Sequence, residues 1–482
     1  MIITILTMLH ALALFGLFVL GSHRTHLLWQ FERRRSNLQK PPRTSILSDI
    51  LVQVPVYNEA NVIMNCLRAV STLQWPDGHL TIQILDDSSD QTSDLIRQFV
   101  QTFDGPHTIQ HIQRTNRIGY KAGALAEGMN CNTAPLIAIF DADFQPHETF
   151  LLELAPLLTD NIGMVQARWA HINRNDNRLT QASAVVLDGH FVIEHSGRHL
   201  QGCFFNFNGT AGIWQRTCIE EAGGWKWDTI TEDLDLSYRA QLAGWDFIYT
   251  PLVSAQAEIP NKMSGLVAQQ FRWAKGTTQT ARKILPTLWR SSHSFKIKYE
   301  GTVHLLANLG YWMTLLLSIV LPFTQFLRWE LHSWWAVLDL SVFLSSFVAL
   351  IVFHQRSQSF LNRWNPLSIN HWISVISALV VGVGLAVSQS YAVFSGLINK
   401  DAVFERTPKS GNQKVIEYTT TPSKEKTLVA QCTLLLGIYS TVGLLYSAYI
   451  GSWASIPFQL IFSVGYLWVG LGALELKKTV RI

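Results

Sequence analysis

Cysteine is scarce and scattered in this 482-residue chain: Cys66, Cys131, Cys203, Cys218 and Cys432 form no CxxC pair and no Cys/His cluster. That spacing excludes a zinc site of the usual ligand pattern and reads as five reduced packing residues in a cytosol-facing protein. Charge is also low, with 15% of residues charged and a formal net charge of +4. So small and dispersed a balance excludes nucleic acid as a partner and fits flanking charge at a lipid bilayer surface. The N-terminal apolar run lacks the preceding positive charge of a cleaved signal peptide; Arg24, Arg33, Arg34, Arg35, Lys40 and Arg43 all follow it. An uncleaved anchor, with the following loop in the cytosol, is expected.

What the chain has in quantity is apolar residues, 48% of the total, and they crowd into two regions. Residues 1–21 are long enough to cross a bilayer, which takes about 20 apolar residues. Further candidate spans are 302–327, 334–354, 372–397, 428–449 and 453–475. If all five cross, the basic stretch 399–427 and the tail "KKTVRI" fall outside; an interfacial or re-entrant segment at 372–397 returns both to the cytosol, as the positive-inside rule asks. The expected organisation is an N-terminal span (1–21), a basic cytosolic linker (22–44), a soluble domain (45–288) and a C-terminal membrane region (289–482).

Within the soluble domain, "ILVQVPVYNEANVIMNCL", "LTIQILDDSSDQTSDLIRQFV" and "APLIAIFDADFQP" each read as an apolar strand ending in a polar turn, the first two followed by a helical pattern. Such alternation indicates an open, largely parallel α/β sheet, whose ligands bind at the strand C-terminal ends. Asp86, Asp87, Asp141 and Asp143 therefore converge on one crevice. Asp141 and Asp143 supply hard oxygen ligands of the kind that hold Mg²⁺ or Mn²⁺ together with substrate phosphates. An isolated Asp-x-Asp is more often a solvated turn, but this one closes the strand "LIAIF".

Asp86 and Asp87 stand where a carboxylate accepts hydrogen bonds from a nucleotide base or ribose; capping is the competing role for Ser88, Ser89 and Asp90. Lys121, in the glycine-flanked "GYKAGAL", could reach a phosphate or be a plain surface charge. Glu232 and Asp233 open a helical pattern, where Asp233 fits the base that takes a proton from an acceptor hydroxyl. A helix start capped by Thr231 fits the same spacing. "QQFRWAKG" offers Gln269 for hydrogen bonds, Arg272 for phosphate and Trp273 as a stacking face, and would also suit a helix lying at the membrane.

Taken together, "PVYNEANV", "LDDSSDQTSD", "KAGAL", "DADF", "FNFNGTAGIW", "EEAGGW", "TEDLDLSYRAQLAGW" and "QQFRW" closely resemble the membrane-integral family 2 glycosyltransferases, nearest in pattern to plant cellulose-synthase-like A and C proteins and their bacterial relatives. The resemblance runs from about Leu51 to Pro286 and more weakly to Gly411. It implies a GT-A fold, a nucleotide-diphosphate sugar donor and inversion at the anomeric carbon. It also implies nucleotide contacts at Asp86 and Asp87, metal and diphosphate contacts at Asp141 and Asp143, and the base at Asp233 of Thr-Glu-Asp. Gln269, Arg272 and Trp273 match a Gln-x-x-Arg-Trp signature for the acceptor end and the diphosphate. Asn208, Gly209 and Thr210 stand where cellulose synthases carry the Phe-Phe-Cys-Gly-Ser acceptor motif, following the synthase-like pattern instead. "FERTPKSG" resembles a gating loop, keeping Phe404, Thr407 and Lys409 and replacing its valine with Arg406.

The expectation is thus a processive, multi-pass membrane β-glycosyltransferase of the plasma, inner or Golgi membrane. Its catalytic domain faces the cytosol, and it extends a glycan acceptor from UDP-glucose or GDP-mannose. Single transfer to a lipid, as ceramide glucosyltransferases perform, is the alternative enzyme. A nucleotide-sugar sensor or a transporter is the non-catalytic one, but the spans hold few charges, Asp339 being the main exception, where a transporter buries ionisable groups.

Overall fold

The structure, a computed structural model, describes residues 2–38, 48–328, 334–399 and 424–474. One seven-stranded sheet organises the soluble part: β1 (Ile50–Val56), β2 (Leu80–Asp86), β3 (Thr108–Gln113), β4 (Leu136–Ile139), β5 (Ile162–His171), β6 (Gly212–Gln215) and β7 (Asp246–Ala257). Their order is β3-β2-β1-β4-β6-β5-β7. All neighbours run parallel except β6, which is antiparallel to both β4 and β5. The expected largely parallel GT-A type sheet is present, and its strand order reverses between β1 and β4, the place where such sheets leave a crevice at the strand ends.

The strands form because apolar residues alternate to both faces. Ile50, Val52, Val54 and Val56 of β1 enter one buried layer with Ile82, Ile84 and Phe150, while Leu51 enters the other with Leu125 and Trp214. Each such side chain contributes roughly 1.5–3 kcal/mol by leaving water. Polar Gln53 is accommodated in this interior because its Nε2 donates to Gln83 Oε1 and to the Leu125 carbonyl, both at 3.2 Å.

Outside the sheet the chain is helical. The first helix, Ile2–Arg34, continues well past residue 21, so Arg24, Arg33 and Arg34 of the expected linker are helical. Among the described residues, three helical segments are long and apolar enough to cross a membrane: Thr4–Asn37, Lys424–Tyr449 and Trp453–Leu474. Two bent pairs raise the number to five if each is one span: Phe295–Leu306 with Leu309–Gln325, bent by 54°, and Ile369–Gly384 with Ala386–Ile398, bent by 48°. Asp339, the charge noted among the apolar segments, is buried, and its Oδ1 meets His10 Nε2 at 2.9 Å. Cys66, Cys203 and Cys218 are buried as expected of packing residues, whereas Cys131 and Cys432 are exposed.

Candidate active site

A cleft opens at the C-terminal ends of β1, β2 and β4. Asp87, Lys121, Asp141, Asp143, Asn208, Gly209, Glu232, Asp233, Gln269, Arg272 and Trp273 all line it. Of the four carboxylates expected to converge on one crevice, Asp87, Asp141 and Asp143 line it and Asp86 does not.

Asp86 and Thr210 do not line it, and each has a structural reason. Successive residues at a strand end project to opposite sides. Asp86 is fully buried, accepting from the Ser88 backbone N–H at 2.8 Å and pairing with His111 Nε2 at 2.9 Å. Although burial opposes its charge, His111, Ser93 and Ser88 hold its carboxyl below the usual range. Asp87 alone reaches the cleft, held by Arg114, whose Nε donates to Oδ1 at 2.6 Å and Nη2 to Oδ2 at 2.5 Å. Thr210 is buried and accepts the Asp141 backbone N–H at 2.9 Å, fixing the turn after β4 instead of facing ligand. Phe404, Thr407 and Lys409 lie outside the described residues.

Lys121 sits at the start of the helix Tyr120–Asn130, entered through Gly119 at φ +74°. Its Nζ donates to the Asp141 carboxylate and, at 2.8 Å, to the Gly209 carbonyl. Burial works against its charge, but Asp141, Glu232 and Asp233 outweigh this and raise its pKa. Lys121 is therefore a charged hub among three carboxylates.

Glu232 and Asp233 begin the helix Glu232–Leu242. Thr231 makes no capping bond; its hydroxyl pairs with Thr280 Oγ1 at 3.1 Å. Asp235, one turn on, is taken by Arg239 and Lys283, each at 2.8 Å, and serves packing. Asp233 is left at the cleft with its Oδ1 accepting from the Leu234 N–H at 2.8 Å. Burial first, then the neighbouring Glu232 charge, pushes its carboxyl up to about 7, against the pull of Lys121. Glu232 is raised as well, again chiefly by burial. Gln269, Arg272 and Trp273, at spacings of three and four on the helix Met263–Arg290, share one face and line the cleft from that helix.

Sequence reading missed several contributors. Gln166 on β5 is fully buried; its Nε2 donates to the carbonyls of Ala167 (2.7 Å), Thr210 (3.1 Å) and Ala211 (3.1 Å), and its Oε1 accepts from the Asn208 N–H at 3.0 Å. A polar residue amid "GMVQARW" was the available signal. Tyr57 and Arg117 also line the cleft, the guanidinium lying 3.3 Å from the Tyr57 ring centroid. Asn208 Nδ2 lies 3.1 Å from His195 Nε2, on the π-helical turn His190–His195. Such turns often mark functional sites.

The donor set at Asp141 and Asp143 suits a hard divalent cation. Among the described residues no group of three or more His, Cys, Asp or Glu side chains forms a ready cage. Mg²⁺ and Mn²⁺ are commonly held by one or two carboxylates and completed by substrate phosphates and water, so two carboxylates in an open cleft fit.

The sequence profile of the family described as "Glycosyltransferase like family 2" matches residues 48–276. The chain is 42% identical over 242 residues to probable glucomannan 4-beta-mannosyltransferase 7 of Oryza sativa subsp. japonica, covering 49% of this chain and 41% of that protein. It is 34% identical over 354 residues to glucomannan 4-beta-mannosyltransferase 9 of Arabidopsis thaliana, covering 67% and 66%. The alignments thus span less than two thirds of these relatives' length. A mannosyltransferase from Pyrobaculum calidifontis, solved in complex with GDP-Man and Mn²⁺, superposes with a TM-score of 0.52 at 18% identity, over 82% of this chain and 100% of that one. At that identity the likeness is one of fold. With the profile, the relatives and the sheet in agreement, this chain belongs to the family 2 glycosyltransferases of the cellulose-synthase-like kind, with a catalytic domain of GT-A fold.

Proposed function

We propose that the cleft transfers a hexosyl group from a nucleotide-diphosphate sugar to a hydroxyl of a growing β-glycan, with inversion, and that GDP-mannose is the donor. The observation that carries this reading is the lining of one cleft by Asp87, Asp141, Asp143, Asp233, Arg272 and Trp273, together with Lys121. The relatives' names, glucomannan 4-beta-mannosyltransferase, favour a mannosyl donor over UDP-glucose.

In this reading Asp233 takes the proton of the acceptor hydroxyl as its oxygen attacks the anomeric carbon from the face opposite the diphosphate. The bond to the diphosphate breaks, and the leaving group departs with the electron pair. A base near pH 7 combines useful basicity with a sufficient ionised fraction. Arg272 and Lys121 offer positive charge to the growing charge on the leaving group. Asp87 would contact the nucleoside, and Gln269, Trp273, Asn208 and Gly209 the acceptor. Asp141 and Asp143 would hold Mg²⁺ or Mn²⁺, which when bound supplies charge neutralisation to the diphosphate.

The membrane would receive the product on the side away from a cytosolic catalytic domain. The 48° bend after Gly384 fits a broken span as well as the re-entrant segment expected at 372–397, so the re-entrant reading rests on the positive-inside rule. Processive export rests on the resemblance of residues 404–409 to a gating loop. Purified full-length protein with Mg²⁺ or Mn²⁺ and GDP-mannose or UDP-glucose should build a polymer ladder. A single sugar on lipid would instead indicate the ceramide-glucosyltransferase-like alternative, and donor binding without turnover a sensor.

A further inference from the structure

Part of the cleft lining has no role in the transfer step. Trp169 and His171 stand two apart at the end of β5, so their side chains share a face of the sheet, and both residues line the cleft. The Trp169 ring lies 6.4 Å from Trp273 at an interplanar angle of 58°, backed by Phe144 at 5.3 Å and Phe191 at 5.0 Å. The two indoles form an aromatic corner beside the residues assigned to the acceptor.

Both members of the β5 pair carry polar atoms that the fold does not use. Trp169 Nε1 and both ring nitrogens of His171 are buried with no hydrogen-bond partner among the described residues. The nearest anion to His171 is Asp188 Oδ1, 3.9 Å away and beyond hydrogen-bond reach. Asp188 Oδ2 is occupied by Arg174 Nη1 at 2.5 Å and Gln358 Nε2 at 3.0 Å, so the carboxylate is anchored from behind. Burial, against the pull of Asp188, lowers His171 to about 4. The imidazole is therefore neutral at working pH, offering one donor and one acceptor. Buried indole N–H and imidazole groups ordinarily find partners, so three unpaired atoms on one strand face, next to an aromatic corner, require an explanation. A pyranose supplies both halves of one: a C–H face for the rings, and hydroxyls that donate and accept.

We propose that Trp169 and His171, together with Trp273, form a saccharide subsite that holds the acceptor's sugar next to the one that reacts. The proposal rests on the glycan-acceptor reading and adds the residues that would set acceptor length and identity.

The test uses full-length protein in detergent with mannotetraose as probe. Binding is measured by saturation-transfer NMR without donor, and transfer is measured separately from donor hydrolysis to water. Trp169→Leu and His171→Leu should each raise KM for mannotetraose about 10-fold or more, the scale expected for losing one stacking face or hydrogen-bonding group. Donor KM should change far less than the KM for mannotetraose. Trp169→Phe and His171→Gln, which keep a flat ring or a hydrogen-bonding group, should recover part of the loss and guard against misfolding of the leucine variants. If the wild type transfers to mannotetraose and all four variants match it, the subsite is overturned and the glycan reading stands. If the wild type binds mannotetraose without transferring to it, and the leucine variants lose that binding, the subsite stands and the transfer reading fails. A wild type that neither binds nor extends the probe overturns both.

Discussion

Gly209 and Asp233 are in contact: a Cβ added at Gly209 would lie 3.0 Å from Asp233 Oδ2 and 3.3 Å from Lys121 Nζ. The backbone there has φ +81°, which side-chain-bearing residues rarely adopt. Gly209→Ala should cost about 1–2 kcal/mol in the left-handed conformation and push the carboxylate aside. The expected result is a folded protein whose transfer rate falls about 10-fold or more, with donor affinity retained. A wild-type rate would remove Gly209 from the reacting centre.

Asp233 yields two opposed effects. Transfer should rise with pH through about 7 as this carboxyl ionises. Stability runs the other way. The native carboxyl binds its proton more tightly than the unfolded chain does, so its penalty grows between the unfolded value, about 4, and about 7, and is absent below that window. Asp233→Asn should therefore abolish transfer, preserve donor binding, and raise stability at pH 8 by about 1–3 kcal/mol while giving no gain near pH 3.5. Near-normal turnover in this variant would exclude Asp233 as the base.

Gln166→Leu removes one side chain that anchors four backbone groups of its own strand and the 208–211 loop. The Ala211 carbonyl keeps the Ala167 N–H, but the Thr210 carbonyl and the Asn208 N–H lose their Gln166 partner in the interior, which should cost about 2–4 kcal/mol. The melting temperature should drop along with activity, unlike Asp233→Asn, where the two separate.

Chelation should stop transfer, and Mg²⁺ or Mn²⁺ should restore it. Asp143→Ala should raise the cation concentration needed for half-maximal rate at least about 10-fold, the loss expected for one carboxylate ligand of two. Activity that persists in excess EDTA would dismiss the cation.

Asp86→Asn should lower stability without a selective loss of donor affinity, because Asp86 is committed to His111 and the Ser88 N–H. Asp86 titrates below its usual range, so its contribution is present above pH 4 and fades as pH falls through the depressed value. A selective rise in donor KM would return Asp86 to the ligand.

The contrast between Asp86 and Asp87 shows what local pattern conveys. Apolar runs ending in acids marked β1, β2 and β4 and the crevice beyond them, because strand period and loop position are local properties. Which of two adjacent carboxylates faces the ligand depends on where His111 and Arg114 arrive from β3 and the turn after it, and no spacing within "LDDSSD" encodes that. Thr231 likewise looked like a cap, but its hydroxyl finds Thr280, forty-nine residues on. Trp169 and His171 went unremarked because strand aromatics and histidines usually serve the core, and only the lining of the cleft separates them from that role.

The helix Met263–Arg290 extends about 42 Å, and its early turns bear Gln269, Arg272 and Trp273. Farther along, Gln279 Oε1 accepts from the N–H of cleft-lining Ile230 at 3.1 Å while its Nε2 donates to the Asn399 carbonyl at 3.2 Å, and Arg282 Nη1 reaches the Gly396 carbonyl at 3.2 Å. A cut at residue 276, where the family profile ends, would saw this rod in two. A fragment ending there would keep the strand-end carboxylates of the cleft but lose Gln279, the side chain that ties cleft-lining Ile230 to the carbonyl that follows the helix Ala386–Ile398.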